Sequence, residues 1–223
     1  MRWPWQKRTP PPERYRRYQE QMSMKTWSPS TLIADLPIVV LDAETTGMDP
    51  RKDRLISLSA VVVRGREVLL NRSFDALVRN PYGQEGRTAA QVHGILASES
   101  ARGEDEVEVI FHFLEFIQGH WLAGHFIGHD IGILDAILQK AGCPPLQNRV
   151  LDTATLYRRW QQGPLPSETP ENTPISLDPL CRELNVPVQD RHTAAGDTLM
   201  TALVLIRLLG QLEKRGILRV KDL

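Results

Sequence analysis

The stretch PIVVLDAETTG, residues 37–47, decides the fold of this chain. Its first five residues are apolar and partly β-branched, which predicts a buried strand. Asp42 and Glu44 follow, and because side chains alternate along a strand, both carboxylates point to the same face. Two such oxygen ligands can hold one cation and suit Mg²⁺ or Mn²⁺ better than zinc. Asp-x-Glu alone occurs by chance at many strand ends, but Gly47 strengthens the signal because it permits a tight exit and close approach of a ligand.

Two later segments add further acids. GHFIGHD, residues 124–130, places Asp130 at the start of a helix after a predicted strand, and HTAAGD, residues 192–197, places His192 and Asp197 across a loop-to-helix junction. If the fold brings the three segments together, four carboxylates share one site. At about 4 Å and an effective dielectric near 20, each like-charged pair costs roughly 4 kcal/mol. Such a cluster requires protons or divalent cations, and the pattern favours metal-dependent chemistry on a phosphate ester.

Each of these residues also has an ordinary structural interpretation. Asp130 alone could be a helix N-cap. His125 and His129 could indicate a histidine-rich metal site, but packing or hydrogen bonding beside the site is the favoured interpretation. A lone His192 would be a satisfied surface or core histidine, whereas Gly196 and the apolar helix after it favour catalysis.

The rest of the chain predicts an α/β domain with a mixed five-stranded sheet flanked by helices. Two adjacent strands joined by a glycine-containing turn imply an antiparallel meander, and two later short strands alternate with helices. Asp152 is positioned to cap the helix that follows it. The predicted strands cover residues 37–41, 54–63, 67–78, 121–124 and 150–151, and the predicted helices cover 104–118, 131–141, 153–160, 177–184 and 194–214. A short helix is expected near residues 89–92, and a proline-rich exposed loop at 163–174.

Composition limits the class of protein. Of the 223 residues, 41% are hydrophobic and 24% charged, which is ordinary for a globular protein, and the net charge of zero gives no overall basic excess for nucleic acid. Cys143 and Cys181 form no CxxC pair, which argues against a disulfide framework or a cysteine zinc site. No apolar run approaches the roughly 20 residues that span a bilayer, and the N-terminus lacks a signal-peptide core. We expect a cytoplasmic protein that does not contact membranes.

Residues 1–35 differ in composition from residues 36–223. They contain seven basic and three acidic residues, with Trp3, Trp5 and Trp27 between them. The favoured interpretation is a solvated arm that packs a few aromatic residues on the domain. The alternative is a basic arm that contacts nucleic acid or a replication or repair partner.

The three acidic segments resemble the exonuclease motifs of the DEDDh 3′–5′ exonucleases in the ribonuclease H-like superfamily, which include the proofreading epsilon subunit of bacterial replicative polymerase and ribonuclease T. The similarity runs from about residue 38 to 209 and includes VHGI at 92–95, LDT at 151–153 and SLDPLC at 176–181. The resemblance implies a ribonuclease H-like fold and an enzyme that releases nucleoside 5′-monophosphates with two Mg²⁺ or Mn²⁺ ions. It implies these site residues: Asp42, Glu44, Asp130 and Asp197 as metal ligands, His192 as general base, and Thr45, Thr46 and the His93 loop as contacts to the terminal nucleotide.

Two positions depart from the family pattern. Phe126 stands where the family usually has Asn, and His129 stands where it usually has an aromatic residue, so substrate preference is open. A single-stranded 3′ end is the expected partner, and a homodimer is left open. The end of the chain soon after the last helix favours a stand-alone enzyme or one recruited through the basic arm. The alternatives are a module that binds nucleic acid or a polymerase without cutting, and an exonuclease specific for RNA or short oligonucleotides.

Overall fold

The structure is a computed structural model that describes residues 10–25, 27–79, 102–162 and 175–223. Its described residues contain five strands: β1 (Pro37–Thr45), β2 (Leu55–Arg64), β3 (Glu67–Leu77), β4 (Trp121–Gly124) and β5 (Val150–Asp152). They form one sheet in the order β3-β2-β1-β4-β5. The β2 strand pairs antiparallel with both β1 and β3, while β4 pairs parallel with both β1 and β5. The predicted meander with added parallel strands is confirmed.

Helices cover both faces of this sheet. The described α-helices are α1 (Glu13–Met24), α2 (Glu106–Ile117), α3 (Gly128–Lys140), α4 (Thr153–Gln162), α5 (Leu177–Glu183) and α6 (Ala194–Glu213). Buried side chains of α1, α2 and α3 form a first hydrophobic layer on one face. Those of α4, α5 and α6 form a second layer on the other face. The sheet is therefore apolar on both sides, as expected for strands with parallel neighbours.

Strand β1 lies in the middle of the sheet and decides where the acids point. Alternate residues within 38–41 pack into opposite layers. Ala43 continues the series that packs into the first layer. Because side chains alternate, Asp42 and Glu44 point toward the second layer, which contains α6.

The start of α3 differs from the prediction. This helix begins at Gly128, three residues earlier than expected, so Asp130 lies inside its first turn. The N-cap residue is Ile127, and it makes no side-chain cap hydrogen bond, so the interpretation of Asp130 as an N-cap was wrong. Asp152 does cap α4 as predicted, since its Oδ1 accepts a hydrogen bond from the Thr155 backbone N at 3.0 Å.

Helix α1 was not predicted, and it lies within the segment interpreted as an arm. Tyr15 and Tyr18 on α1 are 0% and 1% exposed and join the first hydrophobic layer. The described part of the segment thus shares a core with the sheet. Trp27 packs partly buried against the second layer, whereas Trp3 and Trp5 lie outside the described residues.

Helix α6 is long and apolar enough, by length and composition, to cross a membrane. The expectation that no segment approaches this length was therefore wrong. Half of the 20 residues of this helix are buried, and core helices of globular proteins meet the same criterion. Cys143 and Cys181 are both free and buried. The helix predicted near residues 89–92 and the loop predicted at 163–174 lie outside the described residues.

Candidate active site

Three carboxylates meet at the carboxyl end of β1. One oxygen from each of Asp42, Glu44 and Asp197 lies within 4.8 Å of the other two. Strand β1 supplies the first two on one face, and α6 supplies Asp197 from its first turn. Glu44 and Asp197 are buried, and Asp42 is half-buried. The structure thus brings together acids from two of the three sequence segments.

Asp130 approaches the same strand end from α3. Its Oδ1 accepts a hydrogen bond from the Ala43 backbone N at 3.2 Å, and its side chain is buried. Asp130 is close enough to Asp42 to raise the pKa of that carboxyl group. All four acids therefore converge on the end of β1, and we call Asp42, Glu44, Asp130 and Asp197 the site acids. Their role as metal ligands stays a prediction.

The electrostatics of the site favour neutralisation of the site acids. The pKa of Glu44 is raised to about 7, and so is the pKa of Asp130. Burial is the largest cause of both shifts. Burial, followed by the charges of Asp130 and Asp197, raises the pKa of Asp42 well above its ordinary value. Carboxylates this close together cannot all ionise without a compensating positive charge. Near neutral pH, the site therefore takes up protons or cations.

One cation among these acids was not predicted from the sequence. The guanidinium of Arg191 forms ion pairs with Asp197 through Nη1 and with Asp178 of α5 through Nε. The side chain of Asp197 is only 9% exposed, so this ion pair is largely shielded from water. The only sequence signal was a basic residue directly before His192.

The loop before α6 is held against the first turn of that helix. A Cβ added to Gly196 would lie 2.1 Å from the carbonyl oxygen of Asp190, so only glycine allows this contact. The Thr193 hydroxyl donates to the same carbonyl at 2.7 Å and accepts from the Gly196 backbone N at 3.0 Å. These contacts fix the path of residues 190–193, which carry Arg191 and His192.

His192 lies in this loop with an exposed side chain and a left-handed backbone, with φ of 62°. In the described part of the chain, it is not among the residues whose ligand atoms group within 4.8 Å. His192 thus lies on the loop before α6 and outside the cluster of Asp42, Glu44 and Asp197. Its role as general base stays a prediction.

The predicted substrate contacts Thr45 and Thr46 have internal partners. The Thr45 hydroxyl donates to the Gly47 carbonyl at 2.8 Å and lies 3.2 Å from Nε2 of His129. The Thr46 hydroxyl donates to Asp53 at 2.9 Å. These bonds hold the chain at the end of β1, and the Thr46 backbone N also donates to the Arg54 carbonyl at 3.0 Å. The contact of Thr45 and Thr46 with a nucleotide stays a prediction.

Gly47 leaves room for the carboxylate of Asp53 and does not supply a special backbone conformation. A Cβ on this residue would lie 2.6 Å from Oδ2 of Asp53. Its φ is not among the left-handed values in the described residues. His93, the third predicted substrate contact, lies outside the described residues.

His125 and Phe126 form an aromatic pair at the end of β4. Their ring centroids are 4.3 Å apart, and the Nδ1 atom of His125 lies 2.9 Å from the Thr153 hydroxyl oxygen. Burial lowers the pKa of His125, which favours its neutral form. Phe126 is 42% exposed and has a φ of 55°, a strained value for an aromatic residue. The favoured interpretation of His125 as a packing and hydrogen-bonding residue agrees with these contacts.

The site acids fit a hard divalent cation. Oδ1 of Asp197 is buried and, among the described residues, has no hydrogen-bond partner. A buried carboxylate oxygen without a donor costs free energy unless a cation or proton occupies it. The other candidate ligand atoms, from Asp42 and Glu44, are also carboxylate oxygens, which suit Mg²⁺ or Mn²⁺.

Comparison with known families agrees with this geometry. A family model described as an exonuclease of the ribonuclease T type matches residues 39–205, about three quarters of the chain and the range that contains all four site acids. The chain belongs to this exonuclease family. The resemblance to the DEDDh exonucleases is thereby confirmed.

Relatives in this family are larger proteins. A DNA polymerase III subunit epsilon-like protein from Rhodobacter capsulatus is 33% identical over 194 residues, which are 84% of this chain and 26% of that protein. DNA polymerase III PolC-type from Bacillus cereus is 29% identical over 185 residues, which are 83% of this chain and 12% of that protein. The chain thus spans about a quarter or less of these relatives' length.

Solved structures share the fold. E. coli exonuclease I in complex with a dA16 oligonucleotide superposes with a TM-score of 0.67 at 16% identity, over 81% of this chain and 42% of that protein. An uncomplexed exonuclease I gives a TM-score of 0.64 at 16% identity, over 81% of this chain and 43% of that protein. The mixed sheet and its flanking helices therefore form the exonuclease I type of ribonuclease H-like fold.

Proposed function

We propose that this protein is a metal-dependent 3′–5′ exonuclease that removes nucleoside 5′-monophosphates from single-stranded 3′ ends. The convergence of the four site acids on one strand end, within a chain of the exonuclease family, carries this proposal. The orphaned oxygen of Asp197 supports it, because a bound cation would satisfy that atom.

The chain supplies distinct groups to such a reaction. Asp42, Glu44 and Asp197 would hold the metal from the side of the second layer, and Asp130, fixed by the Ala43 backbone, would hold it from the first layer. When bound, two divalent ions supply activation of the attacking water and stabilisation of the leaving oxygen. The imidazole of His192 would accept the water proton on a ring nitrogen. The oxygen of that water bonds to phosphorus and the P–O3′ bond breaks. The leaving 3′ oxygen takes a proton from solvent water, so the shortened strand leaves with a 3′-hydroxyl.

The proposed substrate is single-stranded DNA, with RNA as the second polymer to test. Exonuclease I, which shares the fold, binds single-stranded DNA oligonucleotides. The net charge of zero suits an enzyme that grips a short end rather than a long duplex. Recruitment to replication or repair is a further proposal that the names of the polymerase relatives motivate. The N-terminal segment as the route of recruitment, and a homodimer, stay predictions.

Degradation of end-labelled strands tests the proposal. The protein is incubated with 5′-labelled and 3′-labelled single strands of DNA and RNA, in Mg²⁺, Mn²⁺ or EDTA. We expect a ladder from the 5′ label, labelled mononucleotide from the 3′ label, and no products in EDTA. Asp42→Asn should abolish the products, whereas Asp75→Asn, at an exposed position on β3, should leave them unchanged.

Three outcomes would contradict the proposal. Labelled mononucleotide released first from the 5′ end would reverse the polarity. Strands bound but left intact under every metal condition would favour a non-cutting binding module. Products that persist in Asp42→Asn would show that another site or a contaminant cuts. His192→Ala tests the base separately, and we expect it to lower kcat while metal binding persists.

A further inference from the structure

Arg191 places a permanent positive charge on one of the site acids. Its Nη1 is paired with Oδ2 of Asp197, and its Nε is paired with Oδ1 of Asp178. A guanidinium does not deprotonate at accessible pH, so this charge can leave Asp197 only by movement of the side chain. Any metal ion that binds Asp197 must therefore compete with, or act beside, Arg191.

We infer that Arg191 is a built-in counter-cation that neutralises Asp197 before metal binds and yields this position to the metal, with Asp178 as its anchor. This inference rests on the proposed function, because it requires that the site acids bind a divalent cation. It assigns to Arg191 and Asp178 a role in setting metal affinity, and neither residue is placed in contact with the reacting atoms.

The burial of the three side chains supports this division of roles. The side chain of Asp197 is 9% exposed, that of Arg191 is 23% exposed and that of Asp178 is 38% exposed. Without a cation, Asp197 would be a buried charge among other carboxylates, which is strongly unfavourable. Asp178 lies nearer the solvent on α5, so Arg191 keeps a partner when it releases Asp197.

The loop geometry keeps this cation within reach of both acids. The Gly196 contact and the Thr193 hydrogen bonds fix the backbone on either side of Arg191. A guanidinium on a fixed backbone can shift between two acids through its side chain alone. Arg191 can therefore stabilise the metal-free site without permanently blocking metal binding to Asp197.

Removing the positive charge of Arg191 and removing the negative charge of Asp178 should change Mn²⁺ affinity in opposite directions. Arg191→Gln removes the competing cation, and we expect Mn²⁺ to bind roughly tenfold more tightly, the size of effect that one unit charge at ion-pair distance produces. Asp178→Asn removes the anchor and leaves the full charge of Arg191 for Asp197, so Mn²⁺ should bind more weakly. Arg191→Lys keeps the charge and should stay close to the wild-type affinity.

Two readouts apart from activity test this inference at pH 8. Mn²⁺ affinity is measured by isothermal titration, and the melting temperature is measured in EDTA and in saturating Mn²⁺. Arg191→Gln should have a lower melting temperature than wild type in EDTA, and its melting temperature should rise more than that of wild type when Mn²⁺ is added. A merely structural role would lower both melting temperatures equally. Arg207→Gln, at an exposed position on the same helix as Asp197 and ten residues further along it, is the control and should change neither readout.

The two levels of the inference fail in different ways. If the wild-type protein binds no Mn²⁺, or binds it equally well after Asp42→Asn, the metal site of the proposed function is wrong and the role of Arg191 falls with it. If wild type binds Mn²⁺ through Asp42 but Arg191→Gln binds it equally well or more weakly, only the counter-cation role is overturned. Should Arg191→Gln not fold, the Asp178→Asn and Arg191→Lys affinities decide, and unchanged affinity in Asp178→Asn would contradict the inference.

Discussion

Glu44 shows how a single buried carboxyl couples stability to pH. Its folded-state pKa of about 7 is above its ordinary value, and burial is the main cause. Below about pH 4.5, the group is protonated in both the folded and the unfolded chain. As pH rises toward 7, the unfolded chain ionises first while the folded chain keeps the proton, so folding stability is lost over this window.

We therefore expect the metal-free protein to lose stability between about pH 4.5 and 7, with Glu44 contributing about 1–3 kcal/mol. Asp42 and Asp130 have raised pKa values and act in the same direction. Urea unfolding in EDTA at pH 5 and pH 7.5 measures the change. Glu44→Gln cannot ionise and should show a smaller loss; an equal loss in both proteins would contradict the assignment.

Gly196 links the loop of Arg191 and His192 to helix α6. Gly196→Ala places a Cβ 2.1 Å from the Asp190 carbonyl oxygen, so the loop must move. We expect a stability cost of about 1–3 kcal/mol and a larger relative loss of kcat, because Arg191 and His192 move with the loop. Thermal melting and steady-state nuclease assays measure the two effects.

Gly210→Ala is the matched control because Gly210 lies inside the same helix and its added Cβ would meet nothing within 4 Å. This variant should be more stable by about 0.5–1 kcal/mol through higher helix propensity, with unchanged kcat. Equal effects of the two substitutions would show that helix propensity, rather than the loop contact, governs both positions.

At the scale of elements, helix α1 is part of the core through a buried polar network. The Tyr18 hydroxyl donates to Oδ1 of Asn148 at 2.6 Å and accepts from the Gln147 backbone N at 2.8 Å. Nδ2 of Asn148 donates to the carbonyls of Gln118 and His120. The network joins α1 to the residues that follow α2 and to those that precede β5. Because its members are buried, loss of one bond leaves a buried polar group without a partner.

Tyr18→Phe should therefore cost about 1–3 kcal/mol of unfolding free energy, the usual penalty for an unsatisfied buried group. The hydroxyl of Tyr157 bonds to Glu183 at an exposed position, so Tyr157→Phe is the comparison and should change stability by less than about 0.5 kcal/mol. Chemical denaturation of both variants measures the difference. If Tyr18→Phe is as stable as Tyr157→Phe, α1 is a surface addition rather than a part of the core.

The elements also explain which features the sequence predicts. Strand β1 is recognisable because residues buried on both sheet faces form a continuous apolar run. Helix α1 was missed because only Tyr15 and Tyr18 within a strongly polar segment are fully buried, and its burial depends on partners more than 90 residues away in sequence. The site acids could be predicted from local motifs, whereas the pairing of Arg191 with Asp178 depends on how α5 and α6 pack together.

In the molecule as a whole, the candidate metal site joins the two hydrophobic layers. Asp130 comes from α3 in the first layer, Asp197 from α6 in the second, and Asp42 with Glu44 from the strand between them. Because only the folded chain brings these three elements together, the cation binds the folded chain and not the unfolded one. It should therefore stabilise the whole domain against unfolding, by about 2.7 kcal/mol at a metal concentration 100 times Kd.

Asp42→Asn separates this metal effect from the repulsion among the acids. The substitution removes one like charge from the site, so in EDTA the variant should be at least as stable as wild type, a common result when a functional site stores unfavourable charge. In saturating Mn²⁺, the wild type should gain stability and the variant should gain little, which reverses their order. Unfolding free energies in the two conditions test this reversal, and Asp75→Asn should follow wild type in both. If the variant is less stable than wild type in EDTA, Asp42 stabilises the metal-free fold. Repulsion among the site acids would then not be the unfavourable free energy that metal binding relieves.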